Sequence, residues 1–326
     1  MQTLKMSWPG EIPAWAIPMD SILLLEQSLN GLQLGMMLFL LASGLTLTFG
    51  IMGIINLAHG VTYMLGAYIA ATVMAATSSF LLAVLAGMGF AGLLGLMMEF
   101  TILRRLYERD HLDQVLATFG IILVANEATK MVFGPQALFM APPDYLNRSV
   151  ELTEGLQYPL YRLVIILVGL LVVFGLRHLI LNTKLGMLIR AGATHRAMVA
   201  AMGVNIARVF TLVFGLGALL AGLAGAMAAP LLAVQVGMGE NILILTFVVI
   251  IIGGLGSVRG AFAGAMLVGL VDTFGRAILP ILLAAILPPE TASGLGNSLS
   301  DIAIYLLMAV VLVIRPEGLF MIKGKR

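Results

Sequence analysis

The sequence predicts an all-α, polytopic transmembrane helical bundle of about eight to ten spans, with broken helices and one cytoplasmic docking helix. Of its 326 residues, 60% are hydrophobic and only 10% are charged, and the mean hydropathy is +1.06. A soluble domain carries about 25% charged residues, so this chain could not cover a water-exposed surface of its size. Long apolar runs and 37 glycines instead fit helices that pack closely in a bilayer.

Nine apolar runs are candidate spans, judged against the roughly 20 residues that a helix needs to cross the hydrocarbon core. They cover residues 30–50, 55–77, 80–103, 114–134, 159–180, 209–229, 240–258, 260–281 and 300–315. Acidic residues and prolines interrupt residues 1–29, which we interpret as an N-terminal extramembrane or interfacial segment. Residues 30–320 are then the transmembrane domain, and residues 321–326 a basic cytoplasmic tail.

Positive charge is concentrated in the loops that alternating spans place on one side of the membrane. With Arg177 at their edge, these loops hold 13 of the 18 Lys and Arg residues: Arg104, Arg105, Arg109, Arg177, Lys184, Arg190, Arg196, Arg208, Arg259, Arg315, Lys323, Lys325 and Arg326. The opposite loop at 135–158 is acidic, and its Pro142-Pro143 predicts an ordered turn. The positive-inside rule therefore makes the basic loops cytoplasmic. An odd number of spans would place the N-terminus outside, unless 55–77 is re-entrant.

Composition excludes several classes of function. Without cysteine the chain has no disulfide, thiolate metal site or cysteine nucleophile. A net charge of +2 is too small to indicate nucleic-acid binding. The four histidines lack metal-ligand spacing, and the glycine-rich run at 253–256 lacks the Gly-Lys-Ser/Thr ending of a phosphate-binding loop. We therefore expect no metal, no cofactor and no catalytic site.

A glycine-rich break near the front of the chain is the first candidate for function. The run 49–60 contains three glycines, among them Gly53 and Gly60, together with Asn56 and His59, and Tyr63 follows. Glycine weakens a helix, and the backbone groups freed in a bilayer must be received by protein or by a water-filled cavity. Such a break is typical of a substrate pathway. The alternative is tight packing, with the polar side chains bonded to a neighbouring helix.

The long basic loop at 181–208 is the second candidate. Apolar residues recur in it at near-helical spacing, with basic and hydroxyl side chains between them. The apolar set is Leu188, Ala191, Met198, Val199 and Met202, and the polar set is Arg190, Thr194 and Arg196. A short helix with an exposed apolar ridge predicts a docking partner. The same faces would also suit an interfacial helix lying on anionic membrane lipid.

Other intramembrane features have simpler explanations. Glycines at 215–225 and 253–264 are spaced for close helix crossings, which predicts core packing. Glu127 and Lys130 lie three residues apart, and Asp272 and Arg276 lie four apart. Charges inside spans are a functional hypothesis by default, but each couple can neutralise itself on one helix face.

Four of these segments together resemble one known family. The run Gly50-Ile-Met-Gly-Ile-Ile-Asn-Leu-Ala-His-Gly60, followed by Tyr63-Met-Leu-Gly-Ala-Tyr68, is similar to the N-terminal signature of branched-chain amino-acid ABC permeases of the LivH type. The run 184–203, which ends in Met202-Gly203, resembles that family's ATPase-docking loop. The runs 253–261 and 315–320 are also similar. The resemblance extends over residues 30–320 with the motifs in order.

The resemblance implies a permease subunit in the bacterial inner membrane that hydrolyses no ATP itself. It implies a companion permease of the LivM type or similar, two cytoplasmic ABC ATPases and a periplasmic substrate-binding protein. Gly53, Asn56, His59, Gly60 and Tyr63 would belong to the substrate pathway. Eight residues of the docking loop would contact the ATPase: Leu188, Arg190, Ala191, Arg196, Met198, Val199, Met202 and Gly203.

Three alternatives remain open at the level of the sequence. The same kind of importer could carry urea or short-chain amides. An ion-coupled secondary transporter would need an unpaired intramembrane acid, and the acids at 127 and 272 each have a basic neighbour. A membrane enzyme would need an assembled catalytic site, which the sequence does not indicate.

Overall fold

The structure is a computed structural model that describes residues 21–320, apart from residues 108 and 195 and the side chains of residues 196 and 197. Its first half contains α1 (Ser21–Met52), α2 (His59–Thr77), α3 (Phe80–Thr101), a 3₁₀ turn (Leu103–Leu106), α4 (His111–Phe133), β1 (Ser149–Thr153) and β2 (Leu156–Pro159). Its second half contains α5 (Leu160–Asn182), α6 (Lys184–Thr194), α7 (Arg196–Ala201), α8 (Ile206–Ala228), α9 (Met238–Gly253), α10 (Val258–Ala284) and α11 (Pro289–Ile314).

Eight of the described helices are long and apolar enough to cross a membrane: α1, α2, α3, α4, α5, α8, α10 and α11. The prediction of a polytopic helical bundle is therefore confirmed. The predicted span at 240–258 is wrong in extent, because α9 has only 16 residues. At 1.5 Å per residue it is about 24 Å long, which is shorter than the roughly 30 Å hydrocarbon core.

Helix boundaries differ from the predicted ones where polar residues lie inside a helix. Residues 21–29, assigned to the N-terminal segment, belong to α1. The predicted final span at 300–315 begins eleven residues earlier, with a proline at the first helical position, where its missing N–H costs nothing. Within the predicted span at 55–77, the helix begins only at His59. The single docking helix expected in the loop 181–208 is two short helices, α6 and α7.

The loop 135–158 ends in a hairpin that the sequence did not predict. Strand β1 pairs antiparallel with β2, and the Tyr158 hydroxyl donates to Asn30 Oδ1 of α1 at 3.1 Å. The expected turn at Pro142-Pro143 is confirmed, because the Pro143 carbonyl accepts from the amides of Leu146 and Asn147 at 2.8 and 2.9 Å. The hairpin therefore lies beside the start of α1.

Glycines let the inner helices approach one another, as the sequence predicts. Gly66 of α2 lies against Gly222 of α8, where an added Cβ would sit 2.6 Å from the Gly222 Cα. A Cβ on Gly225 would lie only 2.0 Å from the Tyr63 carbonyl oxygen. The helix α1 packs along α10 in the same way, with Gly31 against the backbone of α10. These contacts hold α1, α2 and α8, the most buried spans, together at the centre of the bundle, and α10 packs along α1.

Candidate functional site

The break between α1 and α2 carries the chain back into the bundle. Gly53, with a φ of 67°, ends α1, and residues 53–58 are not helical. The imidazole Nε2 of His59 lies 3.2 Å from the Leu41 carbonyl oxygen. Leu41 precedes the end of α1 at Met52 by eleven residues, or about 16 Å at the usual rise. Helix α2 therefore begins beside the middle of α1, so the predicted broken helix is present.

A second helix begins at the same place. Met238, the first residue of α9, follows Gly237, whose φ is 89°. An added Cβ on Gly60 would lie 2.5 Å from the Gly239 carbonyl oxygen, and one on Gly239 would lie 2.2 Å from the Gly60 carbonyl oxygen. The starts of α2 and α9 thus contact each other inside the bundle. Helices that begin inside the bundle in this way surround the binding sites of many transporters.

Sequence reasoning missed the second helix start. It treated residues 229–240 as a connection between two full spans, because an apolar count does not distinguish a short helix from a long one. The signal that could have revealed it is Gly237-Met-Gly239, where two glycines flank the first residue of α9. Glycine at a positive φ is the usual way to begin a helix after a sharp turn inside a bundle.

The predicted pathway residues are enclosed by the chain. Asn56, His59, Gly60 and Tyr63 are buried, and Gly53 is partly buried. His59 bonds to a neighbouring helix, as the packing alternative expects. The amide of Asn56 and the hydroxyl of Tyr63, by contrast, have no hydrogen-bond partner among the described residues. An unpaired buried polar group costs about 1–3 kcal/mol, so Asn56 and Tyr63 retain unused capacity to bind.

The docking segment at 184–203 divides into an exposed and an inward face. Thr183 caps α6 by accepting from the Gly186 amide at 3.0 Å, and α6 packs on α1 and α5. Met198 and Met202 of α7 and the turn after it are 63% and 78% exposed. Met187, which the sequence prediction left out of the ridge, is 56% exposed. Three methionines of this segment, one on α6, one on α7 and one in the turn after it, are therefore exposed.

The rest of the predicted ridge points elsewhere. Val199 is buried and Leu188 packs against the hydrophobic core, while Ala191 is half-buried. Arg190 is exposed and donates to the Ile180 carbonyl at the end of α5. Gly203, with a φ of 83°, turns the chain toward α8. The side chain of Arg196 lies outside the described residues.

A buried carboxylate lies where α3 meets the start of α8. Glu99 is 0% exposed and pairs with Arg104 at 3.2 Å. The hydroxyls of Tyr107 and Thr211 donate to it at 2.5 and 2.8 Å. Burial and the neighbouring carboxylate raise the pKa of Tyr107, so its hydroxyl stays protonated and remains a donor. The cluster ties α3 and the turn after it to the helix that follows α7.

Both predicted ion pairs on single helices are confirmed. Lys130 Nζ lies 2.6 Å from Glu127 Oε1 on α4, and Arg276 Nε lies 2.9 Å from Asp272 Oδ1 on α10. The second pair has an additional partner, because Arg276 Nη2 also lies 2.5 Å from Asp301 Oδ1 of α11. No sequence pattern connects residues 276 and 301, because they lie on separate helices.

Comparison with known proteins identifies the family to which this architecture belongs. Residues 27–312 match the family model described as the permease component of the branched-chain amino acid transport system. The chain belongs to this family. The high-affinity branched-chain amino acid transport system permease protein BraD of Pseudomonas aeruginosa is 30% identical over 313 residues, which cover 90% of this chain and 95% of BraD. The Escherichia coli K12 permease LivH is 26% identical over 315 residues, covering 90% of this chain and 94% of LivH.

A more distant relative extends the family to an archaeon. A probable branched-chain amino acid transport permease protein LivH of Methanocaldococcus jannaschii is 25% identical over 302 residues, 89% of this chain and 90% of that protein. No solved structure matches the chain. The family resemblance inferred from the sequence motifs is confirmed, and the chain is a multi-pass transport permease subunit.

Two motifs that carry the resemblance to branched-chain amino acid permeases contact each other. The amides of Leu319 and Phe320 donate to the carbonyls of Ile252 and Gly253 at 2.9 and 3.0 Å. These carbonyls belong to the last turn of α9, which leaves such groups without intrahelical partners. Gly318 fits because an added Cβ would lie 2.6 Å from the Gly254 backbone. The run 315–320 therefore caps the short helix that begins beside α2.

Proposed function

We propose that this permease component carries branched-chain amino acids inward across the bacterial inner membrane, driven by ATP hydrolysis on partner subunits. The partners are a companion permease, two cytoplasmic ATPases and a periplasmic binding protein. The observation that carries the proposal is the exposed methionine face of α6 and α7, defined by Met187, Met198 and Met202. These flexible side chains suit a surface that must fit a soluble partner.

The ends of the bundle support this orientation. Gly192 of α6 lies near Ile51 at the end of α1, whereas the hairpin lies beside the start of α1. The α6–α7 end holds most of the basic residues, and the 135–158 loop at the hairpin end is acidic. The positive-inside rule then places α6 and α7 in the cytoplasm, within reach of an ATPase. The hairpin end would face the periplasmic binding protein.

The connections of α6 and α7 support transmission of movement. They lie directly between α5 and α8, with one residue between α5 and α6. Arg190 links α6 to the end of α5, and Glu99 links the first turns of α8 to α3. A push on the methionine face would therefore move α5, α8 and α3 together. The glycine contacts at α2 and α9 would transmit that movement to the enclosed helix starts.

The cargo assignment follows the function of the relatives to which the chain is similar. BraD and LivH are both high-affinity branched-chain amino acid permeases. The enclosed region around the starts of α2 and α9 offers neutral polar groups, Asn56 and Tyr63, beside apolar helices. Uptake of leucine, isoleucine and valine by the complete complex, with urea and acetamide as comparison solutes, tests the assignment. Uptake of urea without leucine would contradict it.

The docking role is tested by making the methionine face polar without changing its size. We expect M198Q/M202Q to reduce recovery of the ATPases with the purified permease and to slow ATP-driven leucine uptake at least tenfold, because two apolar anchors are lost. M131Q is the matched control, since Met131 on α4 is 85% exposed and lies far from α6 and α7 in the chain. Normal ATPase recovery with M198Q/M202Q would contradict the docking role.

The pathway role of Asn56 is tested by N56L, which keeps the number and branching of the side-chain heavy atoms and removes the amide. Because the amide has no partner among the described residues, its removal should leave the thermal stability of the complex unchanged or higher. Leucine uptake should nevertheless fall several-fold if the amide contacts the transported substrate. Unchanged uptake together with unchanged stability would show that Asn56 serves only packing.

A further inference from the structure

A cavity of about 310 Å³ opens between α9, α10 and α11, and Asn241 in the first turn of α9 lies in its wall. Three charged side chains line one part of it: Asp272 and Arg276 of α10 and Asp301 of α11. Apolar side chains line another part: Ile244, Leu245 and Ile304. A cavity with both kinds of wall is typical of a small-molecule site, where a few polar groups fix the orientation of a largely apolar ligand.

The negative charges in this cavity outnumber the positive one, and some of the hydrogen-bonding groups of these side chains have no partner within the cluster. Two carboxylates face one guanidinium, so the group carries a formal charge of −1. Arg276 contacts Asp272 through Nε and Asp301 through Nη2, which leaves several of its five N–H donors for another acceptor. The contact to Asp301 uses Oδ1, and that side chain is 57% exposed. The cavity therefore offers a free carboxylate oxygen and free guanidinium donors side by side.

These charges lie deep along their helices. Asp272 is fourteen residues from the start of α10 at Val258, which is about 21 Å at 1.5 Å per residue. Asp301 is thirteen residues from the end of α11 at Ile314, about 20 Å by the same rise. Both depths fall inside a hydrocarbon core of about 30 Å. An exposed charge at that depth must be covered by protein or lie in a water-filled cavity, and it marks a functional site by default.

Close packing between the two helices holds the charges together. An added Cβ on Gly275 would lie 2.9 Å from the Ser300 hydroxyl oxygen, and one on Gly296 would lie 2.6 Å from the Pro280 nitrogen. The first contact lies at the level of the Arg276–Asp301 pair and the second lies nearer the connection between α10 and α11, and together they fix the register of the two helices. The separation of the charged groups is thus set by backbone packing rather than by flexible side chains alone.

We propose that this cavity is a binding station for the passenger amino acid in its zwitterionic form. Asp301 accepts hydrogen bonds from the ammonium group, Arg276 donates to the carboxylate, and the apolar wall holds the aliphatic side chain. Asp272 keeps Arg276 in place. This inference rests on the proposed function, since it assigns residues to the passage of the same cargo. The match of one guanidinium, one carboxylate with an unused oxygen and an apolar wall to an aliphatic zwitterion carries it.

The first experiment measures leucine uptake by the reconstituted complete complex with the variant D301N. This change keeps the Asp272–Arg276 pair, so the charge partner of Arg276 remains. We expect KM to rise about tenfold or more, the loss that one charge-assisted hydrogen bond produces, with normal recovery of all subunits. The matched control is E127Q, which removes a carboxylate from the comparable ion pair on α4, and its KM should equal that of the wild type.

Three outcomes would overturn a proposal. If D301N assembles normally and keeps the wild-type KM, the binding station is wrong while the proposed function stands. If D301N loses the companion permease, the cavity is a subunit interface and the binding station is again wrong. If the wild-type complex takes up no branched-chain amino acid, the proposed function itself fails, and the binding station fails with it.

A second measurement reports on the cavity without a change of charge. The chain has no cysteine, so Y305C introduces a single thiol into the wall of the cavity. We expect a thiol-reactive maleimide to label it in the assembled complex, and leucine to slow the labelling at least threefold. L306C, the next position on α11 and 61% exposed, is the control that leucine should not protect. Equal labelling of Y305C with and without leucine, or no labelling, would overturn the binding station.

Discussion

Two carboxylate clusters in this protein look alike in composition and differ in their relation to solvent. Glu99 is 0% exposed, and one guanidinium and two hydroxyl groups surround it. Asp301 is 57% exposed and has one contact, to Arg276. Both clusters join helices that are distant in the chain. The first fills its hydrogen-bonding capacity with protein groups, whereas the second leaves capacity unused beside a cavity.

This difference separates a structural tie from a binding site. A sealed carboxylate with three partners is expensive to disturb and cannot receive a ligand, so its role is to hold α3, the turn after it and α8 together. An exposed carboxylate in a membrane cavity contributes little to stability because solvent screens it, yet it can exchange partners. The position of each cluster fits this division, since Glu99 lies near the docking helices and Asp301 lies at membrane depth.

The largest expected effect is that of removing the sealed carboxylate. E99A leaves Tyr107 without its acceptor and Arg104 without its counter-ion, while Thr211 keeps the Ala207 carbonyl as an acceptor, and the change should cost about 3 kcal/mol or more. The thermal unfolding temperature of the purified protein in detergent should fall by several degrees. D301A is the comparison variant, and its unfolding temperature should stay close to that of the wild type, because exposed pairs contribute about 1 kcal/mol or less.

The reverse ranking would break the comparison. If D301A destabilised the protein more than E99A, the cluster at Arg276 would be the structural one, and the unused capacity beside the cavity would have no functional meaning. Equal and small effects would mean that Glu99 can be replaced by water at the end of α3. Circular dichroism at the unfolding midpoint would show whether helices or only the assembly are lost.

The sequence predicted those parts of the molecule that depend on local pattern. The length of the apolar runs predicted the helical bundle and most of its spans. The four-residue spacing of Asp272 and Arg276 predicted their ion pair. Glycines within 49–60 gave the break before α2. Each of these signals lies within about twenty consecutive residues, so no knowledge of tertiary contacts was needed. A helix within the loop 181–208 was predicted for the same reason, although the structure has two short helices there, α6 and α7.

What the sequence could not predict depends on contacts between distant residues. Glu99 and Thr211 are separated by 112 residues, and Arg276 and Asp301 by 25. Neither separation falls on one helix face, so no periodicity reveals it. The start of α9 beside α2 depends on Gly60 and Gly239, which meet only after the chain has returned into the bundle. The exposed methionine face likewise requires knowing which side of α6 and α7 the core covers.

An expected effect smaller than that of E99A tests the sealed cluster itself. Y107F removes one of the hydroxyl donors to Glu99 and leaves Arg104 and Thr211 in place. A single hydrogen bond to a charged group contributes about 1.5–3 kcal/mol, so the fall in unfolding temperature should be clearly less than that of E99A. Y145F, a change at a 57% exposed tyrosine in the 135–158 loop, should have no effect.

Because Tyr107 holds helices together and contacts no substrate, the KM for leucine should stay at the wild-type value in Y107F. A raised KM would mean that the sealed cluster also affects the substrate pathway. The distinction between a structural cluster at Glu99 and a binding site at Asp301 would then be wrong.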